Sequence, residues 1–418
     1  MKTLNKSEVV AREYDHQGKK GTFILHRETG ARCLLEGTAA RFFEIACGNA
    51  SDVEKSLSDL AVMFGAEKDK VLADYDGFVA GLEKTLKNDD KAAGNKLLPA
   101  LYERGITSLI MLELLQSCNL KCIHCYVGHR GAEGVRQSLV VKNLETLKQR
   151  LIKMGCADLT VTGGEIRLVP GIISILKDLS RDFVVTALTN GTMWTEEDCL
   201  ALVSVPLKEI RTTLFSSDPK VHDGITKEPG SWQKTYDFAM RLKQLNVPVR
   251  INTPVLSANI AGVPELMEKL KQAGLSAVVD VKCLQAPGID NCRASAPQLT
   301  ELFKTGIPAK LLRTQCGGIR YKMRIGPDGS IFPCEYLSDK IGDIFRDQTR
   351  EEVLSSGLSK KLLQTMNQEP ACGDCADCAA KGSCFHCVAF NYSEHGDHLK
   401  PSGYICGLNR ISVMAGNV

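Results

Sequence analysis

The chain has 418 residues, enough for two or three domains that each bury a core of their own. With 44% hydrophobic and 24% charged residues it is ordinary for a globular protein, and a net charge of +3 gives no large basic field for nucleic acid. The N-terminus lacks an apolar segment of signal-peptide length and no run approaches a membrane span, so we expect a cytoplasmic protein. In that compartment, 17 cysteines indicate metal ligands rather than disulfides.

The first 90 residues have the pattern of strands followed by helices. Strand patterns at 22–26 and 31–35 flank a glycine-containing turn and predict a β-hairpin. Three short helices are then predicted, the first capped by Thr38, the second opened by a capping box from Ser51, and the third with apolar residues at helical spacing. Strands and three helices within this length predict a small winged-helix-like domain at 1–90.

A polar, glycine-containing segment follows and predicts a linker at 91–106. Beyond it, 107–305 alternates strand patterns with helical patterns such as 141–154 and 263–273. Repeated strand–helix units predict a parallel sheet that gathers its ligands at the carboxyl-terminal edge. The expected strands are 158–162, 183–188, 209–215, 247–252 and 277–282.

Cys118, Cys122 and Cys125 form a CxxxCxxC loop directly after an apolar run. Three thiolates can hold a cubane iron–sulfur cluster at three of its four irons and leave the fourth iron open for a substrate or cofactor. The alternatives are a zinc knuckle that lacks one ligand and thiols packed by chance. Zinc sites more often use CxxC pairs, which favours the cluster.

Two motifs directly follow predicted strands. The first motif is Gly163, Gly164 and Glu165. Its glycines allow a ligand to approach the backbone, and its carboxylate can pair with an ammonium group. Thr189 and Asn190 stand at the end of the next strand, where a simple turn explains them equally well.

The last quarter of the chain holds a second group of cysteines. Cys316 is followed by twelve residues, then Gly329, four residues and Cys334. A quartet with the pattern CxxCx5CxxC begins at Cys375, and Cys406 follows it. A zinc ribbon is the alternative to iron–sulfur ligation for these CxxC units.

The cysteine loop and the Gly-Gly-Glu motif resemble those of the radical S-adenosylmethionine (SAM) superfamily, and the later cysteines resemble its seven-cysteine SPASM extension. The resemblance implies an α/β fold with a partial (β/α)6 TIM barrel at 107–305 and an iron–sulfur SPASM domain at 306–418. It implies SAM and three 4Fe–4S clusters as cofactors. One departure is the spacing of two residues, where the SPASM pattern has three, between Cys384 and Cys387.

The same resemblance implies which residues bind SAM. The Gly-Gly-Glu motif would bind its methionine amino group, Thr213 its carboxylate, and His124 would pack beside adenine, although a solvent-facing histidine is equally compatible. The residues implied in SAM binding are Gly163, Gly164, Glu165, Thr189, Asn190, Thr213 and His124. The general base is unassigned; Asp218, His222 and Asp223 lie near the right strand end.

The resemblance also implies the metal ligands. Cys118, Cys122 and Cys125 would hold the catalytic cluster. The proximal auxiliary cluster lacks an upstream fourth cysteine, so either Cys372 supplies it or the site stays open, and an open iron could bind a substrate thiolate. The distal cluster would take Cys375, Cys378, Cys384 and Cys406, and the proximal cluster Cys316, Cys334 and Cys387.

Residues 1–90 resemble the PqqD-like leader-recognition domain of enzymes that modify ribosomally made peptides. The resemblance lies in the pattern of predicted strands and helices and not in a sequence motif. In that family an edge strand and the third helix bind the leader peptide by strand addition. A purely structural cap is the alternative. Acidic residues on the presumed third helix, such as Asp69 and Glu83, speak against nucleic acid.

Together these resemblances imply a peptide maturase of the sactipeptide or ranthipeptide type. It would use a 5′-deoxyadenosyl radical to abstract a hydrogen from a precursor peptide, and we expect an intrapeptide thioether crosslink. Epimerisation and carbon–carbon crosslinking share the same motifs and stay open, as do an RNA-modifying radical SAM enzyme and a non-catalytic metal scaffold. The implied partners are the precursor peptide and an external electron donor such as flavodoxin or ferredoxin.

Overall fold

Two β-sheets organise the part of the chain that the computed structural model describes, residues 3–48, 50–88, 91–125, 138–284, 292–307, 316–347, 349–367, 375, 378, 384 and 386–414. A three-stranded antiparallel sheet forms the N-terminal unit, and a nine-stranded mixed sheet forms the rest. None of the helices within these ranges is both long enough and apolar enough to cross a membrane.

The N-terminal unit has its strands in chain order, so that β1 and β3 are the sheet edges. The predicted hairpin and three helices are present, whereas β1 was not predicted. The prediction of Thr38 as N-cap is wrong, because Gly37 caps that helix with a φ of 56° and no side-chain bond. The elements are β1 (Val9–His16), β2 (Lys19–His26), β3 (Arg32–Glu36), α1 (Thr38–Ala46), α2 (Ala50–Phe64) and α3 (Lys68–Lys87).

The segment that we predicted as a linker, 91–106, is mostly helical, with α4 at Lys91–Glu103. Leu98 and Leu101 are buried in one cluster with residues of the N-terminal sheet and the larger sheet. Burial of these apolar side chains outweighs the polar start of the segment, which had suggested a linker.

Both faces of the N-terminal sheet are covered. Ile24 and Leu35 pack with residues of α1 and α3, while Phe23 and Leu25 face α4 and the larger sheet. The carboxylate of Asp158, at the start of a strand of the larger sheet, accepts from Arg32 at 2.9 Å. The N-terminal unit therefore sits on the amino-terminal edge of the larger sheet.

The larger sheet is built from parallel strands that alternate with helices, as the sequence predicts. The helix expected at 141–154 is two helices that meet at Asn143. The strands, in spatial order, are β4 (Leu109–Glu113), β5 (Asp158–Thr162), β6 (Val184–Leu188), β7 (Glu209–Thr213), β8 (Val249–Pro254) and β9 (Ser276–Asp280). The helices are α5 (Leu139–Lys142), α6 (Leu144–Lys153), α7 (Ile172–Asp182), α8 (Glu196–Leu202), α9 (Pro219–Thr226), α10 (Ser231–Gln244), α11 (Val263–Gln272) and α12 (Ala296–Lys304).

The C-terminal region continues this same sheet. β10 pairs in parallel with β4, and β11 and β12 extend the sheet in antiparallel fashion. The remaining elements are β10 (Lys322–Ile325), β11 (Ser330–Phe332), β12 (Gly342–Asp343), α13 (Arg350–Ser355), α14 (Gly357–Asn367), α15 (Val388–His395) and α16 (Gly403–Met414).

Candidate functional site

The predicted site residues gather at the carboxyl-terminal edge of the larger sheet. The cysteine loop (118–125) follows β4, the Gly-Gly-Glu motif follows β5, Thr189 and Asn190 follow β6, and Thr213 is the last residue of β7. These four strands are neighbours and run in parallel, so the segments that follow them meet at one edge.

The Gly-Gly-Glu motif lies against the chain that leads into the cysteine loop. The backbone N–H of Gly164 donates to Leu115 O at 3.0 Å, and that of Glu165 donates to Ser117 O at 2.9 Å. A Cβ on Gly163 would stand 2.6 Å from Leu115 O, and one on Gly164 2.0 Å from Ser117 O. The glycines therefore permit close approach of the chain to itself, a reason that our ligand-based interpretation had missed.

Glu165 is fully buried, and its carboxylate is engaged by the chain itself. It accepts hydrogen bonds from Thr189 Oγ1 at 2.5 Å, from the backbone N–H of Asn190 at 2.7 Å and from that of Arg167 at 2.9 Å. Burial raises the pKa of this carboxyl group, and the hydrogen bonds oppose the shift. The carboxylate thus joins the end of β5 to the end of β6.

The side chain of Asn190 connects the β6 end to the cysteine loop. Its Nδ2 donates to Asn119 Oδ1 at 2.8 Å and to Cys118 Sγ at 3.7 Å. Its Oδ1 accepts from the backbone N–H of Thr192 at 2.9 Å, which is a turn contact. Asn190 therefore does more than shape a turn, because it also reaches a predicted cluster ligand.

The cysteine loop is anchored to α9. The backbone N–H groups of Lys121 and Ile123 donate to carbonyl groups at the end of α9, at 3.1 and 3.0 Å. Burial raises the pKa of Cys118 and raises that of Cys122 to about 12, and the neighbouring thiols raise both further. Three thiols that disfavour one another's ionisation suit a positively charged iron centre, which stabilises thiolates.

His124 is half-buried, and its ring is turned toward the protein interior, which favours packing over a solvent-facing histidine. Its Nδ1 is buried, and its ring packs edge-on against Phe215 with the ring centroids 5.0 Å apart. Burial lowers the pKa of His124 to about 4, so the imidazole is neutral at pH 7.

The three candidate bases have structural contacts. Asp218 caps α9 by accepting from the backbone N–H of Lys220 at 2.8 Å. Asp223 accepts from the backbone N–H of Trp232 at 2.9 Å, at the start of α10. His222 is buried, its Nδ1 accepts from the backbone N–H of Phe215 at 3.2 Å, and burial lowers its pKa to about 4.

The later cysteines influence one another in two sets, and their assignment to two auxiliary clusters stays a prediction. Burial raises the pKa of Cys384 to about 11, and the next largest contributions come from Cys406, Cys378 and Cys375. These contributions indicate that the four thiols are neighbours.

The second group surrounds Cys334. Burial raises its pKa, with further contributions from Glu335, Cys316 and Cys387. Cys372, the candidate fourth ligand, lies outside the described residues. Glu335 is a neighbour that no sequence motif identified; its carboxylate accepts from Lys322 Nζ at 2.6 Å.

A buried ion pair joins the two halves of the site. Arg324 in β10 donates to Glu113 Oε2 at 2.9 Å at the end of β4, directly before the cysteine loop. The same guanidinium donates to Cys334 O at 3.3 Å. Sequence reasoning missed both residues, because neither belongs to a motif.

Comparison with known proteins agrees with this arrangement. Residues 112–273 match the radical SAM superfamily, and residues 316–379 match the SPASM iron–sulfur cluster-binding domain. The chain therefore combines a radical SAM domain with a SPASM domain.

Two curated relatives are similar over much of the chain. The antilisterial bacteriocin subtilosin biosynthesis protein AlbA of Bacillus subtilis (strain 168) is 27% identical over 65% of this chain and 66% of AlbA, just under two thirds of its length. The AdoMet-dependent heme synthase of Methanosarcina barkeri (strain Fusaro / DSM 804) is 23% identical over 71% of this chain and 95% of that protein.

Among solved structures, SuiB of Streptococcus suis superposes with a TM-score of 0.68 at 15% identity, over 97% of this chain and 100% of SuiB. SuiB has also been solved bound to S-adenosylmethionine and bound to its precursor peptide SuiA. At this identity the likeness is one of fold, and it extends through the N-terminal unit, the parallel sheet and the C-terminal region.

Proposed function

We propose that the protein is a radical SAM maturase that binds a ribosomally made precursor peptide and forms an intrapeptide thioether crosslink. The observation that carries the proposal is the bonded contact between the cysteine loop and the Gly-Gly-Glu motif through Asn190. A second cysteine group lies in an extension of the same sheet, on the β4 side that also leads into the cysteine loop.

Cys118, Cys122 and Cys125 would hold the catalytic cluster, since they are the thiols of one anchored, half-buried loop. When bound, the cluster and SAM supply a 5′-deoxyadenosyl radical, which abstracts hydrogen from an unactivated carbon. The chain's own part is to position SAM and exclude water. Thr213, His124 and the β5 and β6 ends face this edge and would contact SAM there.

The two later cysteine groups would hold auxiliary clusters. The distal group has four thiols, the number that closes a cubane cluster, and the proximal group has three. Either Cys372 completes the proximal cluster or its fourth iron is open to a substrate thiolate, and the thioether proposal rests on the open site. Iron analysis of Cys372→Ala separates the two: unchanged iron supports the open site, and a loss of about four irons per chain contradicts it.

The N-terminal unit would bind the leader peptide. Strand β3 is a sheet edge, and Cys33 and Leu35 of β3 pack beside Leu82 and Leu86 of α3. An added strand at β3 would therefore also touch α3, which is the geometry of strand addition. Hydrogen exchange with and without a synthetic leader peptide tests whether the leader binds at β3. New protection of the 32–36 amides supports this assignment, and protection elsewhere contradicts it.

The position of the N-terminal unit limits how close the modified residue can be to the bound leader segment. The N-terminal unit contacts the amino-terminal edge of the larger sheet, while the cysteine loop stands at the carboxyl-terminal edge. A five-residue strand such as β5 separates the edges by about 17 Å. The modified residue should therefore lie at least five residues beyond the segment bound at β3.

Epimerisation and carbon–carbon crosslinking use the same site and are distinguished by the product. A peptide that loses two hydrogens and resists alkylation at one cysteine supports the thioether. An unchanged mass with an altered stereocentre would instead establish an epimerase. An external donor such as flavodoxin or ferredoxin would deliver the electron in the cell, and dithionite replaces it in the assay.

A further inference from the structure

Two of the buried cysteines outside the cysteine loop and the two later groups contact each other. Cys283 and Cys292 are 5% and 7% exposed, and their Sγ atoms are 3.6 Å apart. No sequence motif pairs them, and eight residues separate them along the chain.

Backbone contacts hold both cysteines at the carboxyl-terminal edge of the larger sheet. The carbonyl of Cys283, shortly after β9, accepts from Arg293 Nε at 2.8 Å. The carbonyl of Cys292 accepts from the backbone N–H of Ser257, in the loop after β8, at 2.9 Å. Both cysteines of the pair are therefore fixed to segments that follow strands of the larger sheet.

The surroundings of the pair connect it to the site. Cys283 and Cys292 belong to the same apolar cluster as Phe215, the ring against which His124 of the cysteine loop packs. Tyr404 of α16 donates to Val281 O, two residues before Cys283. The pair thus lies where the larger sheet, the cysteine loop and the C-terminal region meet.

We propose that Cys283 and Cys292 form a reversible dithiol–disulfide site. A disulfide has an S–S bond of about 2.05 Å, so the two sulfur atoms must approach by about 1.5 Å, which side-chain rotation can supply. The two thiols already contact each other, which is the arrangement that intramolecular exchange requires.

The exchange takes place in two steps. Either thiol can donate the hydrogen bond between the two sulfur atoms, so either can attack first. The attacking thiolate displaces one thiol from a small-molecule disulfide and forms a mixed disulfide. The other cysteine then attacks the protein sulfur of that mixed disulfide and releases the second thiol. The protein loses two electrons and two protons, and the oxidant's S–S bond is reduced to two thiols.

The sequence offers a direct test of this exchange. Trypsin cleaves after Lys282 and after Arg293, so one peptide, 283–293, carries both cysteines and no others. The cluster-loaded protein is incubated anaerobically with oxidised glutathione, blocked with iodoacetamide under denaturing conditions, digested and analysed by mass spectrometry. Cluster absorbance is followed throughout, and the peptide that carries the buried Cys199 is the internal control.

We expect most of peptide 283–293 to carry no iodoacetamide label and to be two hydrogens lighter than the reduced peptide, while cluster absorbance is retained. Dithiothreitol should restore two thiols that iodoacetamide can block. The Cys199 peptide stays fully blocked, and Cys292→Ser forms no disulfide in 283–293. The proposal is overturned if 283–293 keeps two blocked thiols at saturating oxidant, or if its disulfide appears only as cluster absorbance is lost. Loss of about four irons in Cys292→Ser also overturns it, because the thiol would then be a cluster ligand.

Discussion

The backbone N–H of Asn190 donates to Glu165 Oε2 at 2.7 Å, and this bond ties the end of β6 to the end of β5. Through its side chain, Asn190 also reaches Asn119 and Cys118 of the cysteine loop. The segments that would surround SAM are therefore held together by the chain's own hydrogen bonds. Such preorganisation is what a site needs to position a reactive cofactor.

The Glu165 carboxylate should be important for stability. In Glu165→Gln the new amide group must face at least one of the donors that now bond to the carboxylate, so a buried hydrogen bond is lost. We expect the free energy of unfolding in urea to fall by roughly 1–3 kcal/mol. The matched control is Glu197→Gln on the exposed surface of α8, which should change little. Equal stability of the two variants would contradict this role.

Gly164 should be irreplaceable even by alanine. The new Cβ would stand 2.0 Å from Ser117 O and 2.3 Å from Ser117 C, which are backbone atoms and cannot move without displacing the cysteine loop. We expect Gly164→Ala to lose about four irons per chain, the content of one cluster. Gly224→Ala in α9, whose added Cβ meets no atom within 4 Å, should keep the full iron content. Full iron in Gly164→Ala would count against the predicted ligation by this loop.

The Glu113–Arg324 pair should couple the parallel strands to the C-terminal region. Arg324→Met leaves the Glu113 carboxylate buried without its cation, which should lower the free energy of unfolding by about 3–5 kcal/mol. Adding Glu113→Gln should recover part of that loss, because the buried charge is then removed. A double-mutant cycle measures this coupling, and simple additivity of the two changes would argue against it.

His222 should make the fold sensitive to acid. Its pKa is lowered to about 4 by burial, whereas an unfolded chain has a histidine pKa of about 6.5. Between these values the unfolded state binds more protons, so the stabilisation is complete above pH 6.5 and is lost as the pH falls toward 4, by roughly 3 kcal/mol.

The His222→Gln variant should therefore show a flatter decline of urea stability between pH 7 and 5 than the parent protein. His395→Gln, at an exposed position in α15, is the control and should keep the parent slope. An unchanged slope in His222→Gln would refute the assignment.

Much of the larger sheet could be predicted because local patterns encode it. Buried parallel strands such as β5 and β6 are short apolar runs, and the cysteine and Gly-Gly-Glu spacings mark the segments that follow them. The pairing of β10 with β4 could not be predicted, because it joins segments more than 200 residues apart. The Glu113–Arg324 pair depends on that same non-local contact.

Other failures have local causes. The segment 91–106 begins with polar residues and a glycine, yet Leu98 and Leu101 gain enough burial under the N-terminal sheet to make it a helix. For Gly163 and Gly164 the motif was found, but the close approach within the chain that the glycines also permit was not. That approach becomes visible only once β4 and β5 are adjacent.

The central claim is tested most directly by anaerobic turnover. The reconstituted protein is mixed with dithionite, SAM and a cysteine-containing precursor peptide encoded beside its gene, and 5′-deoxyadenosine and peptide mass are followed together. The proposed function predicts 5′-deoxyadenosine and a peptide two hydrogens lighter, and neither product with Cys122→Ala. No 5′-deoxyadenosine from protein that carries about twelve irons would contradict it.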